Sequence, residues 1–323
     1  MDARWQQCYS AFLAHIESIS GSVRSRATYN YVLALFFADG RNPDQYSRSD
    51  VQNFLDAPSH LKYQQGRAVK PGTRNQRLMC LNSFYKFAAT FEIDGMLLFE
   101  GRSPAFGTSY LKIGSSPKGL SASELSQFFS DIPDDTVKGL RDRSIFLVYF
   151  WTGRRRSEIA RLTWADLEHV TIVEPDGSRR PGVVYQFIAK GKSRDIQRAE
   201  LPAPAWNALE RYLIASRRLE TIQPTDPLFV STRPDQPNQG LTGDYCNSEF
   251  KRYCKLAGLS PAYSLHSLRH TAARLRYEAG SSIQDIQQYL GHSSLATTDV
   301  YLKRLSGVAD TGAKLLQERF GNL

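Results

Sequence analysis

Apolar side chains recur at helical spacing through the first hundred residues. The first run, with an apolar residue about once per helical turn, contains Trp5, Cys8, Phe12 and Ile16. A second run occupies residues 29–37 and is followed by Gly40, a residue typical of a helix end. The pattern predicts two amphipathic helices at the start of the chain.

Two further helices are predicted before residue 100. Ser49 and Asp50 can cap a short helix over residues 51–55, which Pro58 ends. Pro71 favours the first turn of a longer helix. The apolar side of that helix contains Leu78, Leu81, Phe84, Tyr85 and Ala88. Residues 1–100 are therefore predicted to form a helical domain.

Residues 101–119 concentrate Gly, Ser and Pro, which is typical of a linker. Ser121 then stands three residues before Glu124, the pattern of a helix capping box. A second domain is accordingly predicted over residues 120–323.

The second domain combines helices with a small sheet. Residues 141–151 form an apolar helical run, whereas residues 171–173 and 183–189 are rich in β-branched side chains. Lys190-Gly191-Lys192-Ser193 is typical of a hairpin turn. Helical spacing resumes at Pro202 and, after an irregular loop, near Thr242. The predicted fold is mostly α with a small antiparallel sheet.

The composition excludes several classes of protein. Of 323 residues, 41% are hydrophobic and 23% charged, as in soluble globular proteins. The longest apolar run, Ile145 to Trp151, is too short to span a bilayer, and no signal-peptide core is present at the N-terminus. We therefore expect no membrane partner and a cytoplasmic location. The four cysteines lack a Cys-x-x-Cys pair, so reduced thiols and no structural zinc are expected.

The net charge of +9 favours an anionic partner. After residue 100 there are 30 Lys and Arg against 23 Asp and Glu, so most of the excess lies there. In the first domain, one helix face carries Lys70, Thr73, Arg74 and Arg77. This face could contact DNA phosphates, or it could simply be solvated.

The candidate catalytic residues lie in three short motifs and at one tyrosine. His266, Arg269 and His270 have the spacing i, i+3, i+4, so a helix would place them on one face that could hold a phosphate. A solvated helix face or half of a zinc site would have the same spacing. The other motifs are Thr152-Gly153-Arg154-Arg155-Arg156-Ser157-Glu158, Leu290-Gly291-His292-Ser293 and the isolated Tyr301.

Together these motifs resemble, in their order along the chain, those of the tyrosine recombinase (phage integrase) family. The resemblance covers both domains. The resemblance implies a SAM-like helical N-terminal domain and an integrase-type catalytic domain. It also implies a catalytic set composed of Arg155, Lys190, His266, Arg269, His292 and Tyr301, with Glu158 as a supporting acid. Lys192 competes with Lys190 as the hairpin lysine. Arg154 and Arg156 stand where the family usually has apolar residues.

The activity implied by the resemblance is site-specific DNA recombination. Tyr301 would attack a phosphodiester and form a 3′-phosphotyrosine, and neither a metal nor another cofactor would be needed. The partners would be duplex DNA and three further copies of the chain, forming a tetramer on two recombination sites. Two alternatives are a type IB topoisomerase, which nicks and reseals one strand, and a catalytically silent DNA-binding regulator. The sequence identifies neither the target site nor any accessory protein.

Overall fold

The computed structural model describes residues 1–58, 68–112, 119–174, 176–188 and 196–291, without the side chain of Ile188. The chain divides into two compact units, Met1–Gly114 and Ser115–Leu323. The described residues are mostly helical and contain two small antiparallel sheets, which confirms the predicted fold class. Within them, no helix combines the length and the apolar character that crossing a membrane requires.

In its described part, the first unit contains four α-helices, a 3-10 turn at Pro43–Gln45 and a minimal hairpin. The helices are α1 (Ala3–Ser20), α2 (Val23–Phe36), α3 (Arg48–Asp56) and α4 (Pro71–Ala88), and the strands are β1 (Glu92–Ile93) and β2 (Met96–Leu97). Phe84 of α4 lies at the centre of the core, in edge-to-face contact with Phe12 at 5.4 Å and Phe37 at 5.3 Å. The apolar spacing thus predicted the helices and their buried sides.

Two helix starts differ from the prediction. Helix α2 begins at Val23 because the side chain of Ser22 accepts a hydrogen bond from the backbone N–H of Ser25. Helix α3 is capped by Ser47, while Asp50 forms the other half of the capping box by accepting from the Ser47 N–H at 2.7 Å. Local side-chain acceptors, rather than the apolar pattern, determine these boundaries.

The first part of the predicted linker packs against α4. Asn75 donates a hydrogen bond to the carbonyl of Leu111 at 2.8 Å and accepts one from its N–H at 2.9 Å. The Nη1 atom of Arg74 donates to the carbonyl of Ser109 at 3.1 Å. Residues 101–112 therefore belong to the first compact unit in this structure.

The predicted exposed basic face of α4 is wrong at two of its four positions. Lys70 and Thr73 are exposed, but Arg74 and Arg77 are buried, with 8% and 5% of their surface accessible. Arg77 donates to the carbonyls of Phe54 at 2.7 Å and of Ala57 at 2.8 Å. These carbonyls belong to the end of α3, where a cation is favoured by the helix dipole. Arg77 therefore holds α3 against α4 and cannot contact DNA from this position.

Arg77→Leu is expected to lower the free energy of unfolding by about 2–4 kcal/mol, because it leaves the part-buried carbonyls of Phe54 and Ala57 without this donor. Lys70→Leu, at an exposed position, should change it by less than about 0.5 kcal/mol. Urea unfolding of the full chain, followed by circular dichroism, measures both values. Equal effects of the two substitutions would contradict the structural role of Arg77.

In its described part, the second unit contains a buried central helix, α6 (Val137–Thr152), with six further α-helices and one 3-10 turn around it. These are α5 (Ala122–Ser130), α7 (Arg156–Ile159), α8 (Ala203–Ala215), α9 (Gly243–Leu256), α10 (Leu265–Glu278) and α11 (Ile283–Leu290), together with a 3-10 turn at Trp164–Asp166. Phe146 of α6 packs with Phe128 at 5.3 Å and Phe250 at 5.8 Å. The core thus joins α6 to α5 and α9.

A three-stranded antiparallel sheet lies beside these helices. Its strands are β3 (Leu167–Val173), β4 (Arg179–Ile188) and β5 (Ile196–Leu201), in that order. Leu167 pairs with Tyr185, and Val183 pairs with Leu201. Strand β3 begins earlier than the β-branched run predicted, because pairing with β4 extends it. The hairpin residues Lys190 and Lys192 lie outside the described residues.

Candidate active site

Helix α6 ends at Gly153, where the backbone conformation requires a glycine. Gly153 adopts a left-handed conformation with φ +60°, and a Cβ atom there would lie 2.3 Å from the ring of Tyr289. The hydroxyl of Tyr289 donates to the carbonyl of Phe150 at 2.6 Å, which fixes the ring in place. This turn places residues 154–156, the arginine triplet, at the start of α7.

The three arginines of the triplet have different surroundings. Arg154 is 5% exposed; its Nε donates to the Tyr185 hydroxyl at 2.9 Å, and its guanidinium lies 3.5 Å from the ring centre of Phe187. Arg156 pairs with Asp244 on α9 at 2.9 Å, and both side chains are exposed. Arg155 has one third of its side chain exposed. Within the described part of the chain, Arg155 forms no ion pair with the sheet or with α9.

Glu158 holds Arg155 by two contacts. Its Oε2 accepts from the Arg155 backbone N–H at 2.9 Å, and its Oε1 accepts from Arg155 Nη1 at 3.1 Å. The first contact caps α7, and the second is an ion pair with the guanidinium. Glu158 therefore orients the side chain of Arg155.

Arg269 connects distant parts of the chain. It lies on α10 and is 2% exposed, and its guanidinium donates to the backbone carbonyls of Gly153 and Leu290. Gly153 belongs to the first motif and Leu290 to the third. One side chain therefore fixes the relative positions of all three predicted motifs.

His266 lies in the first turn of α10 and is exposed to a cleft. Its ring contacts that of His270 edge-to-face at 4.5 Å. The pKa of His266 is lowered to about 4. The largest cause is desolvation by the surrounding protein, and the positive charges of Arg269, Arg155 and Arg156 add to it. The imidazole is therefore neutral at pH 7.

The cleft has a volume of about 450 Å³ and is lined by Arg155, His266 and Arg269 together. Residues outside the motifs also line it, among them Tyr149, Asn247 and Lys251. Asn247 accepts from the Leu265 N–H at 3.0 Å and so positions the start of α10. Lys251 adds a further cation, and none of the described lining residues carries a carboxylate. The cleft is suited to an anion such as a phosphodiester.

The remaining predicted site residues, Lys190, His292 and Tyr301, lie outside the described residues, as does the alternative Lys192. Within residues 1–58, 68–112, 119–174, 176–188 and 196–291, no cluster of three His, Cys, Asp or Glu side chains could hold a metal ion. The structure therefore brings together the first and second motifs and, from the third, the backbone carbonyl of Leu290.

The lowered pKa of His266 predicts a pH effect on stability. The unfolded chain binds the proton more tightly than the folded chain, since the unfolded pKa is about 6.5. Stability is therefore expected to fall as the pH drops from about 6.5 towards about 4. His266→Asn should reduce the difference between urea midpoints measured at pH 7 and pH 5.

His169→Asn is the matched control for loss of an imidazole, because His169 packs on Trp206 away from the cleft. An identical pH dependence in the wild type and His266→Asn would contradict the assigned electrostatics.

Comparisons with known proteins agree with these motifs. The phage integrase family model matches residues 118–306, more than half of the chain. Tyrosine recombinase XerD of Pseudomonas aeruginosa is 30% identical over 244 residues, covering 75% of this chain and 74% of that protein. Tyrosine recombinase XerC 2 of Ralstonia nicotianae is 27% identical over 264 residues, covering 80% and 69%.

Solved structures share the fold. The Tn1549 transposon integrase in complex with transposon right-end DNA superposes with a TM-score of 0.67 at 17% identity, covering 98% of each chain. A lambda integrase dimer bound to a core site gives a TM-score of 0.64 at 16% identity, covering 94% of this chain and 97% of that one.

Proposed function

The chain belongs to the phage integrase family of site-specific tyrosine recombinases, and we propose that it cuts and rejoins duplex DNA through a bond between Tyr301 and a 3′ phosphate. The observation that carries this proposal is the cleft in which Arg155 meets His266 and Arg269. These residues come from motifs far apart in the sequence. Their convergence supports a shared task on one phosphate.

In the proposed reaction the phenolic oxygen of Tyr301 attacks the phosphorus while the bond to the 5′ oxygen breaks. The phenolic proton of Tyr301 passes to solvent water, and Lys190, as its ammonium, donates a proton to the departing 5′ oxygen. Arg155 and Arg269 stabilise the negative charge that grows on the non-bridging oxygens. A 5′ hydroxyl from a second strand then attacks the phosphorus and loses its proton, while the bond to the Tyr301 oxygen breaks and the phenol takes up a proton. One phosphodiester is exchanged for another, so rejoining requires no external energy source.

Neutral His266 acts as a hydrogen-bonding group in this scheme. With a pKa of about 4 it carries no charge at pH 7, and its ring nitrogens can donate to the phosphate or accept from a neighbour. A bound phosphate would raise this pKa, since its negative charge offsets the arginines. His292 is proposed as the second histidine in contact with the phosphate.

The assembly proposed is four copies of the chain on two duplex sites, with residues 1–100 binding DNA and residues 120–323 carrying out the chemistry. Residues 101–119 would connect the two domains, and their first part, residues 101–112, belongs to the first compact unit. Its support is the lambda integrase, solved as a tetramer bound to a Holliday junction, with a TM-score of 0.64 to this chain.

Strand exchange tests the proposed function. The purified full chain is incubated with two plasmids that carry the DNA flanking its gene, and junction sequencing identifies products. We expect reciprocal products joined at one position. Relaxation of supercoiled plasmid without joined products would instead indicate a topoisomerase, and binding without cleavage would indicate a silent regulator.

Lys70 and Thr73 are proposed to contact DNA phosphates from the exposed start of α4. Lys70→Ala is expected to weaken binding to all sequences about equally and to reduce the slope of log K against log salt by roughly one unit. Filter binding at four salt concentrations measures the slope, and Lys86→Ala, at the other end of α4, is the matched control. A loss confined to one DNA sequence, with an unchanged slope, would contradict a phosphate contact.

A further inference from the structure

A second cavity lies between the sheet and helices α6, α10 and α11. Its volume is about 500 Å³. The charged groups on its wall are Arg154, Arg198, Arg276, Glu200 and Asp285. Arg154 also lines the candidate active site, so its side chain separates the two spaces.

Arg154 is a buried cation whose described partners are all neutral. Only 5% of it is exposed, and its Nε donates to the Tyr185 hydroxyl, while the guanidinium stacks on Phe187. Within the described part of the chain, no carboxylate lies within ion-pair distance and its terminal nitrogens make no hydrogen bond. A buried guanidinium in such surroundings is costly unless an anion accompanies it. Two of its donor-bearing atoms therefore remain available to a ligand.

Arg276 is a second cation on the same wall. Its guanidinium lies 4.0 Å from the ring centre of Tyr289, and its Nη2 donates to the carbonyl of Trp151 at 3.2 Å. Among the residues that the structure describes, it too has no carboxylate partner. Arg154 and Arg276 thus present two guanidiniums to one cavity.

The other charged groups on the wall are already engaged. Arg198 pairs with Glu168, and Glu200 accepts from Arg180 at 2.9 Å. Asp285 accepts from the Ser282 hydroxyl at 2.6 Å and caps α11. The carboxylates in the cavity therefore have other partners, and the excess positive charge belongs to Arg154 and Arg276.

We propose that this cavity binds a phosphate group through Arg154 and Arg276. A carboxylate satisfies one guanidinium fork through its two oxygens, whereas a phosphate offers further oxygens to a second fork. The phosphate can come from free phosphate or from the DNA backbone. The site is separate from the proposed catalytic reaction, which uses Arg155.

Thermal unfolding of the full chain tests the site, with potassium phosphate compared against potassium chloride at equal ionic strength. Every variant is made in an Arg155→Ala background, which weakens phosphate binding in the catalytic cleft. With phosphate at about ten times the dissociation constant, the midpoint of the Arg155→Ala chain should rise by roughly 3–6 °C. Arg154→Leu should abolish this rise, and Arg276→Met should reduce it.

Arg154→Leu also has a distinctive effect without phosphate. Removing a buried cation that lacks an anion should leave the unfolding midpoint in chloride unchanged or higher. The variant therefore loses the response to phosphate without losing stability in chloride. Arg198→Leu, which changes an arginine of the same wall that is already paired, should retain the phosphate response. The proposal is overturned if the Arg155→Ala chain shows no rise or if Arg154→Leu shows the same rise.

The source of the phosphate is decided by DNA binding. If the ligand is a phosphate of the DNA backbone, Arg154→Leu should reduce the slope of log K for DNA binding against log salt by roughly one unit. An unchanged slope, with the response to inorganic phosphate present, identifies a free phosphate as the ligand. Strand exchange is measured in parallel in the native background, so failure of the proposed function is distinguished from failure of this site.

Discussion

Tyr301→Phe is expected to eliminate the covalent protein–DNA adduct, with a fall in cleavage on the order of 10⁴-fold or more. Only the nucleophilic oxygen is removed, so affinity for DNA should remain nearly unchanged. The adduct is measured by its resistance to detergent on a gel, with labelled DNA that carries a nick near the cleavage position.

Tyr289→Phe is the matched control for this experiment. The Tyr289 hydroxyl donates to the Phe150 carbonyl, and burial raises its pKa, so this tyrosine is a structural group. Its replacement should cost about 1 kcal/mol of stability and leave the adduct in place. An adduct that persists in Tyr301→Phe and disappears in Tyr289→Phe would contradict the assignment.

Lys190→Ala is expected to lower cleavage on the order of 10²- to 10⁴-fold, the usual range for loss of a general acid. A substrate with sulfur in place of the 5′-bridging oxygen releases a thiolate, which has a low pKa and needs no proton. This substrate should restore cleavage by Lys190→Ala. Single-turnover rates on the oxygen and sulfur substrates measure the effect.

Arg155→Ala is the control that should not be rescued by sulfur. Its guanidinium lies in the cleft with His266 and Arg269, where it would stabilise the non-bridging oxygens and not the leaving group. Lys192→Ala should be nearly as active as the wild type on both substrates. Rescue of Lys192→Ala, with none of Lys190→Ala, would assign the general acid to Lys192.

The helices of the first unit could be predicted because their buried sides repeat with the helical period. Their starts could not be predicted as well, since Ser22 and Ser47 cap them through side-chain acceptors next to other candidate residues. The error at Arg74 and Arg77 has a different cause. Spacing assigns a residue to a side of a helix, but a buried arginine that caps α3 cannot be distinguished by spacing from an exposed one.

The candidate site was predictable where its residues lie in short motifs. All three arginines of the triplet line the cleft, but Arg154 contacts the sheet and Arg156 pairs with Asp244, so Arg155 remains the one we propose for catalysis. Lys251 and Asn247 carried no such signal. They are polar residues of the amphipathic helix α9, and only tertiary packing brings them to the cleft.

The central claim is tested most directly by identifying the amino acid and the DNA atom that become joined. The adduct is trapped on nicked DNA, digested with a protease and a nuclease, and sequenced by mass spectrometry. The expected product is a peptide in which Tyr301 carries a 3′-linked nucleotide, with a free 5′ hydroxyl on the other DNA fragment. A nucleotide on another residue, or a phosphate left on the 5′ end, would contradict the proposed mechanism.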